Sequence, residues 1–399
     1  MSSSARPRAS PYGCFAPGAA VFSTVPTTIH RKDRCNTLLT IIHGADFHLD
    51  SPFSGLSPQR AAQRRVEQRQ LLSALAALAR EKGADLVLLA GDLLDGRQTY
   101  RETAQALARA LGDIPCPVFL APGNHDYMSP ASLYATLEWP ENVTVFAGDQ
   151  LAAVELPHLG CVVHGRGFQA PREEQDPLAG FQAPQDGKLH LMVLHGEVEG
   201  QGNYAPIARE NIARSGLAYL ALGHIHQCSG VQREGNTCWA YPGCPEGRGF
   251  DETGEKGALC LEVDENGCRG ELIPLGKRRY ETLSVDLTGS EKPLETLLAA
   301  LPRETERDVY RLTLTGEREE DLDLEGLKRV LEPRFYGLTL LDRTRVRGDV
   351  WRRMEEDTLT GLFLRALEPQ CRQEPDNRVL QLAVRYGLAA LEKGEDVAP

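Results

Sequence analysis

Five times along the chain, an apolar run stops at a glycine beside Asp, Asn or His. Residues 38–43 (LLTIIH) run into Gly44-Ala45-Asp46-Phe47-His48, and 85–90 (DLVLLA) run into Gly91-Asp92-Leu93-Leu94-Asp95. Residues 117–121 (PVFLA) run into Pro122-Gly123-Asn124-His125-Asp126. Residues 189–194 (LHLMVL) run into His195-Gly196-Glu197, and 217–222 (LAYLAL) into Gly223-His224-Ile225-His226. Near-continuous apolar runs mark strands buried on both faces. Helical patterns lie between the early ones. Residues 60–82 place Val66, Leu71, Leu75 and Leu78 at helical spacing before Gly83, and 99–111 place Ala104, Leu107 and Leu111 before Gly112. Strand alternating with helix predicts an α/β layered domain. In open sheets of this kind, ligands gather beyond the carboxyl ends of the strands, so the five polar motifs are expected to meet.

The last third reads differently. Residues 275–345 predict a small α/β piece, with strands at 282–287 and 310–315 and helices near 291–301 and 321–331. Residues 348–368 and 376–393 predict two helices broken at Glu374-Pro375-Asp376. Their apolar positions include Leu359, Leu362, Phe363 and Leu367, then Leu380, Leu382, Val384 and Leu388. Residues 1–36 are rich in Ser, Pro, Ala and Gly and show no period. They are expected to be a disordered or non-native extension, with a transit peptide the weaker alternative. The predicted divisions are 1–36, a main domain at 37–275, a small α/β cap at 276–345 and a helical segment at 346–399.

Composition narrows the classes. The chain has 399 residues, 41% hydrophobic and 25% charged, ordinary for a globular protein. No apolar run approaches the ~18 residues of a membrane span. The ten cysteines form no Cys-x-x-Cys pair, so a zinc ribbon is excluded and reduced thiols in a cytoplasm are the expectation. The net charge of −12 argues against a free-standing nucleic-acid binder. It does not argue against a metal site, because bound cations add positive charge of their own.

Asp46, His48, Asp92, Asn124, His195, His224 and His226 are all oxygen or imidazole donors, without a thiolate. Such a set suits Mn, Fe or Zn ions rather than a closed structural zinc. Seven donors exceed the needs of one ion and match two ions sharing a carboxylate, an arrangement that clamps a phosphoryl group for in-line attack. The order Asp46-x-His48, Gly91-Asp92-x-x-Asp95, Gly123-Asn124-His125-Asp126, His195, Gly223-His224-x-His226 resembles the signature of calcineurin-like metallophosphoesterases. Gly44 to Pro52, Tyr241-Pro242-Gly243 and Glu255-Lys256-Gly257-Ala258 resemble the SbcD/YhaO-type DNA-repair exonucleases, over roughly residues 38–290.

The resemblance implies a four-layer αββα sandwich with a small α/β cap and C-terminal helices. It implies that Asp46, His48 and His226 bind one metal, that Asn124, His195 and His224 bind the other, and that Asp92 bridges them. His125 is implied to face the scissile phosphate, as transition-state stabiliser or proton donor, with Asp126 as the candidate orienter of His125. Two divalent ions, Mn2+ foremost with Fe2+ or Zn2+ as alternatives, are the implied cofactors. The implied partners are DNA ends or single strands, an SMC-like coiled-coil ATPase of the SbcC/YhaN kind docked on the C-terminal helices, and a second copy of the chain. Two positions depart from the pattern. Asp95 stands where several nucleases of this branch carry a His linked to exonuclease action. Cys244 stands where Ser is commoner, and it is expected to be a buried structural thiol.

The remaining histidines, His30, His43, His158, His164 and His190, are expected to be structural. Arg166 is a candidate phosphate contact, with a surface role equally open. Asp95 is open between a helix-capping role and a functional one. Arg60, Arg64, Arg65 and Arg69 read first as a solvated helix face and second as a phosphate-contacting strip. Lys277-Arg278-Arg279 is expected to mark a junction. Three functions compete: a metal-dependent nuclease, a phosphoesterase for cyclic nucleotides or nucleotides, and a non-catalytic adaptor on the same fold. The intact donor set argues against the adaptor. The C-terminal length favours the nuclease, and the acidic balance favours the small substrate.

Overall fold

The computed structural model describes residues 38–53, 56, 58–96, 99–318 and 321–393. The expectations for residues 1–36 lie outside the described residues. In chain order, the strands of the main body are β1 (Leu39–Gly44), β2 (Leu86–Leu89), β3 (Val118–Leu120), β4 (Val143–Val145), β5 (Ala152–Leu156) and β6 (Cys161–Gly165), followed by β7 (Leu189–His195), β8 (Tyr219–Gly223), β9 (Gln232–Glu234), β10 (Thr237–Ala240), β11 (Gly257–Asp264) and β12 (Gly267–Pro274). They form two six-stranded sheets, ordered β12-β11-β1-β2-β3-β4 and β5-β6-β7-β8-β10-β9. The central pairs β1–β2, β2–β3, β6–β7 and β7–β8 are parallel. Their carboxyl ends therefore point the same way within each sheet.

Burial on both faces explains the unbroken apolar runs. Successive side chains of a strand point to opposite faces. Ile42, Val87, Leu89 and Leu120 pack outward against Leu71, Leu75, Leu107 and Leu111 of helices α1 (Pro58–Glu81) and α2 (Arg101–Gly112). Ile41, Leu86, Leu88 and Phe119 point inward and meet Val163, Leu191, Val193, Ala221 and Ala240 of the second sheet. The far face of that sheet, with Met192, Leu194, Leu220 and Leu222, is covered by Ile207 and Ile212. After the short α3 (Leu133–Thr136), α4 (Arg209–Arg214) carries Ile212 and thickens this outer layer. The order is helix, sheet, sheet, helix, which is the mixed α/β sandwich expected.

The last third has two cores of its own. The strands β13 (Tyr280–Asp286), β14 (Val309–Thr315) and β16 (Gly337–Asp342) form a parallel sheet, while β15 (Glu317–Arg318) pairs with β17 (Arg345–Val346). Helices α5 (Pro293–Ala300) and α6 (Leu324–Leu331) contribute Leu297 and Leu331 to the core of that sheet. The third strand, β16, was not anticipated. The predicted helix 348–368 divides into a 3₁₀ segment, Gly348–Glu355, and α7 (Leu359–Gln373), which runs through Pro369. The break at Glu374-Pro375-Asp376 precedes α8 (Arg378–Lys393).

Helix α1 corrects two expectations. Val66, assigned to the buried face, is 47% exposed. Arg64, assigned to a solvated face, is fully buried. Its guanidinium reaches Glu67 at 2.7 Å and Glu246 at 2.6 Å, and donates to the Gly247 carbonyl at 3.1 Å. Arg278 approaches the same Glu67 at 2.7 Å, tying α1 to the segment that leads into β13. Charge periodicity alone could not distinguish this paired, buried cation from a solvated one.

His43 is buried between the sheets, its Nδ1 2.9 Å from the Tyr219 hydroxyl. Burial pushes its imidazole down to about 3. The folded protein therefore keeps His43 neutral while the unfolded chain protonates near 6.5. The stability it contributes is complete above pH 6.5 and is lost as pH falls toward 3. The expected outcome is that the wild-type unfolding free energy, measured by urea titration, falls between pH 6.5 and 5 more steeply than that of His43→Gln. The expected difference is about 1.4 kcal/mol per pH unit; equal slopes contradict it.

Candidate metal centre

The five polar motifs meet at one end of the sandwich. Backbone bonds between strand ends set the frame. Asp46 N–H donates to the Gly91 carbonyl at 3.0 Å, and His48 N–H to the Asp92 carbonyl at 2.9 Å. His224 N–H donates to the Asp46 carboxylate at 3.1 Å, and His125 N–H to Asp92 Oδ1 at 2.8 Å. Asp46, His48, Asp92 and His224 all have positive φ, at 55°, 42°, 51° and 108°. Such backbone costs on the order of 1–3 kcal/mol per residue and concentrates at functional sites. Gly91 is required here. At φ +80°, a Cβ would stand 2.6 Å from His195 Nδ1 and 2.8 Å from the Gly123 backbone.

The side chains form opposed sets of donors. His48 Nε2 lies 3.2 Å from His226 Nε2, and His226 Nε2 lies 4.0 Å from Asp46 Oδ1. Asp92 Oδ2 sits 3.8 Å from His48 Nε2 and 3.4 Å from His195 Nε2, so one oxygen faces both groups. Asn124 Oδ1 is 3.0 Å from His195 Nε2 and 3.2 Å from His224 Nδ1. The structure thus brings together all seven sequence-predicted donors. Asp46, His48 and His226 form one group that could hold a metal ion, and Asp46, Asp92 and His195 form another.

The electrostatics fit a cation. Asp46, Asp92, His48 and His195 are buried. Burial, with the Asp92 charge nearby, pushes Asp46 up to about 6, even though His195 and His226 oppose it. Burial would also raise Asp92, but His195 and His48 outweigh it and hold the carboxyl below its usual range. His195 is pushed up to about 9 because the Asp92 charge overcomes its burial. Burial pushes His48 and His224 down to about 4, leaving neutral rings with free lone pairs. Carboxylates and imidazole nitrogens facing one another at these distances need protons or metal ions between them. The donor set therefore fits divalent ions.

Surrounding residues orient the donors. His195 Nδ1 lies 2.8 Å from the Ala90 carbonyl, so Nε2 is turned to the centre. His226 Nδ1 lies 2.7 Å from Glu252 Oε1, and Arg248 Nη2 holds that same oxygen at 2.6 Å. Glu252 and Arg248 were missed in the sequence because no strand leads into Gly247-Arg248-Gly249. Their i, i+4 spacing is the only local signal. Tyr204 packs over His224 with ring centroids 4.8 Å apart, and it too was missed.

His125 stands at the rim with its side chain 49% exposed. Its Nδ1 is 3.4 Å from Asp95 Oδ1, which is also 3.4 Å from His48 Nδ1. The hydrogen bond to Asp95 raises the His125 pKa. This corrects the expectation for Asp126, whose carboxylate accepts from the backbone N–H groups of Gly123 (2.7 Å), Leu93 (2.8 Å) and Leu94 (3.1 Å) and from the Tyr134 hydroxyl (2.6 Å). Asp126 braces the loops behind the centre, and Asp95 partners His125. The helix-capping alternative for Asp95 falls with it, since α2 has no side-chain cap. Arg166 is paired with Glu173. His164 and His190 bond each other at 2.9 Å and are structural. Cys244 is buried, as expected.

A two-sheet sandwich with convergent carboxylate, amide and imidazole donors at its strand ends defines a metallophosphoesterase, and residues 39–228 match the calcineurin-like phosphoesterase family. Residues 39–228 therefore form a calcineurin-like phosphoesterase domain, of a hydrolase family that uses divalent metals. It is 29% identical over 356 residues to the "Uncharacterized metallophosphoesterase YhaO" of Bacillus subtilis (strain 168), covering 84% of this chain and 85% of that protein. It is 26% identical over 276 residues to the "DNA double-strand break repair protein Mre11" of Aeropyrum pernix, covering 62% and 63%. Among solved structures, TT1561 of Thermus thermophilus aligns with 14% identity and a TM-score of 0.37, over 59% of this chain and 99% of that one. The two sequence similarities are consistent with the SbcD/YhaO-type branch.

Removing the carboxylate behind His226 tests the orienting shell. Glu252→Gln is expected to lower Mn2+ affinity roughly 10- to 100-fold, read by equilibrium dialysis with metal analysis, with the circular dichroism spectrum unchanged. Unaltered affinity contradicts that role.

Proposed function

We propose that the chain is a two-metal phosphodiesterase that hydrolyses DNA phosphodiester bonds in repair, with Mn2+ as its working metal. Asp46, His48 and His226 would hold one ion and Asn124, His195 and His224 the other, with Asp92 available to both. The observation that carries this reading is Asp92 Oδ2, 3.8 Å from His48 and 3.4 Å from His195, each belonging to a different donor group. The pair of ions supplies activation of the attacking oxygen and neutralises charge at phosphorus. The rest falls to His125. With Nδ1 turned toward Asp95, its Nε2 is the atom left to face a substrate. The Asp95 carboxylate favours the protonated ring, which suits delivery of a proton to the leaving oxygen.

Three observations support DNA over a small substrate. The sequence similarity to the repair protein Mre11 extends over 276 residues. A separate α/β unit follows the phosphoesterase domain and supports a capping role for residues 276–345. Leu359, Leu362 and Val379 are 72%, 57% and 73% exposed on the C-terminal helices, which supports docking on an SMC-like coiled-coil ATPase. Such a partner would add basic surface to a chain of net charge −12. Asp95, in the place of the histidine linked to exonuclease action, favours cleavage without processive degradation. Hydrolysis of nucleotides or cyclic nucleotides is the second reading, favoured by the acidic balance alone. No described helix is long and apolar enough to cross a membrane, and a cytoplasmic setting fits the free thiols.

Mn-loaded protein is expected to hydrolyse bis(p-nitrophenyl) phosphate and to cleave single-stranded or end-resected DNA, and chelation is expected to abolish both. Cleavage of the small diester with no DNA cleavage, alone or with the ATPase, sinks the nuclease reading. His125→Ala is expected to retain both metals and to lose roughly 10²- to 10⁴-fold in turnover. Loss of metal in this variant, read by elemental analysis, contradicts the placement of His125 outside the metal set.

A further inference from the structure

A cavity of about 400 Å³ opens beside His125. Its walls are the aromatic and aliphatic side chains of Leu94, Tyr127, Leu133 and Tyr134, with the hydroxyl residues Thr99 and Ser129 among them. His125 itself forms part of the lining. No Lys or Arg lines it among the described residues, and the largely buried Asp126 is part of the lining. The wall is fixed in advance. Tyr134 donates to Asp126 at 2.6 Å and stacks on Trp139 with centroids 5.7 Å apart. Thr99 Oγ1 is buried and has no hydrogen-bond partner among the described residues. An unmet buried polar group is costly, and a ligand atom that bonds it removes that cost.

We infer that this cavity receives the nucleobase of the leaving nucleoside, an inference that rests on the phosphodiesterase reading. Apolar and aromatic walls suit a flat neutral ring, since stacking on aromatic side chains is tolerant of base identity. The Thr99 hydroxyl meets a polar edge of that ring. The location matches the chemistry. As the bond from phosphorus to the leaving oxygen breaks, that oxygen takes the proton from His125; the attacking water supplies the new oxygen on phosphorus and releases a proton to solvent, from which His125 is reprotonated. The departing nucleoside is then next to His125, where the cavity begins. The device selects diesters whose leaving group is a nucleoside.

The test uses full-length, Mn-loaded protein, a dinucleoside monophosphate and bis(p-nitrophenyl) phosphate. Ala131→Trp places bulk at the cavity's exposed lining without touching the donor set. It is expected to lower kcat/KM for the dinucleoside monophosphate at least tenfold, and that for the smaller aryl diester less than threefold. Thr99→Val removes only the unpartnered hydroxyl and is expected to raise KM for the dinucleoside monophosphate severalfold with kcat unchanged, which keeps the test alive if the tryptophan variant does not fold. Equal losses on both substrates for Ala131→Trp, or no change on the dinucleoside monophosphate for either variant, overturn the pocket while the phosphodiesterase reading stands. If the wild type hydrolyses neither diester, that reading fails. Direct binding of adenosine by equilibrium dialysis then decides: binding lost in Ala131→Trp retains a nucleoside pocket, and absence of binding removes it.

Discussion

The structure depends on holding two buried carboxylates, Asp46 and Asp92, against the imidazoles of His48, His195, His224 and His226 at the rim of a packed sandwich. Burial disfavours every charge in this group, yet the donors face inward at distances that require something positive between them. Asp46, His48, Asp92 and His224 also adopt positive-φ backbone to aim those donors. Only a rigid frame sustains such an arrangement. The frame is the inward-facing layer of Ile41, Leu86, Leu88, Leu191 and Val193, whose strands end together at the site. Stability of the core and placement of the donors are thus one problem: a strand that slipped by one residue would turn its donors away from the centre.

Outside this core, each supporting group does a separable job. Ala90 and Glu252 turn His195 and His226 to present Nε2. Asp126 ties five backbone or hydroxyl donors from Asp92, Leu93, Leu94, Gly123 and Tyr134, which locks the two loops that carry Asp92 and Asn124. Asp95 lies 3.4 Å from both His48 and His125, linking the buried donors to the imidazole at the rim. The Arg64–Glu67–Arg278 cluster joins the first helix to the segment entering the small sheet through paired charges.

Much of this was legible in the sequence because strands buried on both faces leave an unmistakable apolar run, and because ligand residues must sit where such runs end. The five motifs and the α/β class follow from that alone. The small sheet was only partly legible: Gly337–Asp342 follows the short Pro333-containing turn and lacks a long apolar run. Partner choice was not legible. Asp126 adjoins His125 in the chain, yet successive side chains diverge, and the carboxylate that reaches the imidazole comes from Asp95, thirty residues earlier. Arg64 looked solvated because its partner Glu246 is far away in sequence. Glu252 and Arg248 follow no strand, so nothing in the local pattern drew attention to them.

The central claim is that Asp92 lies between two ions. The most direct measurement is anomalous diffraction at the manganese edge from crystals grown with Mn2+. The account predicts two peaks flanking the Asp92 carboxylate, one toward His48 and His226 and the other toward His195 and His224. A single peak, or peaks distant from Asp92, would contradict it.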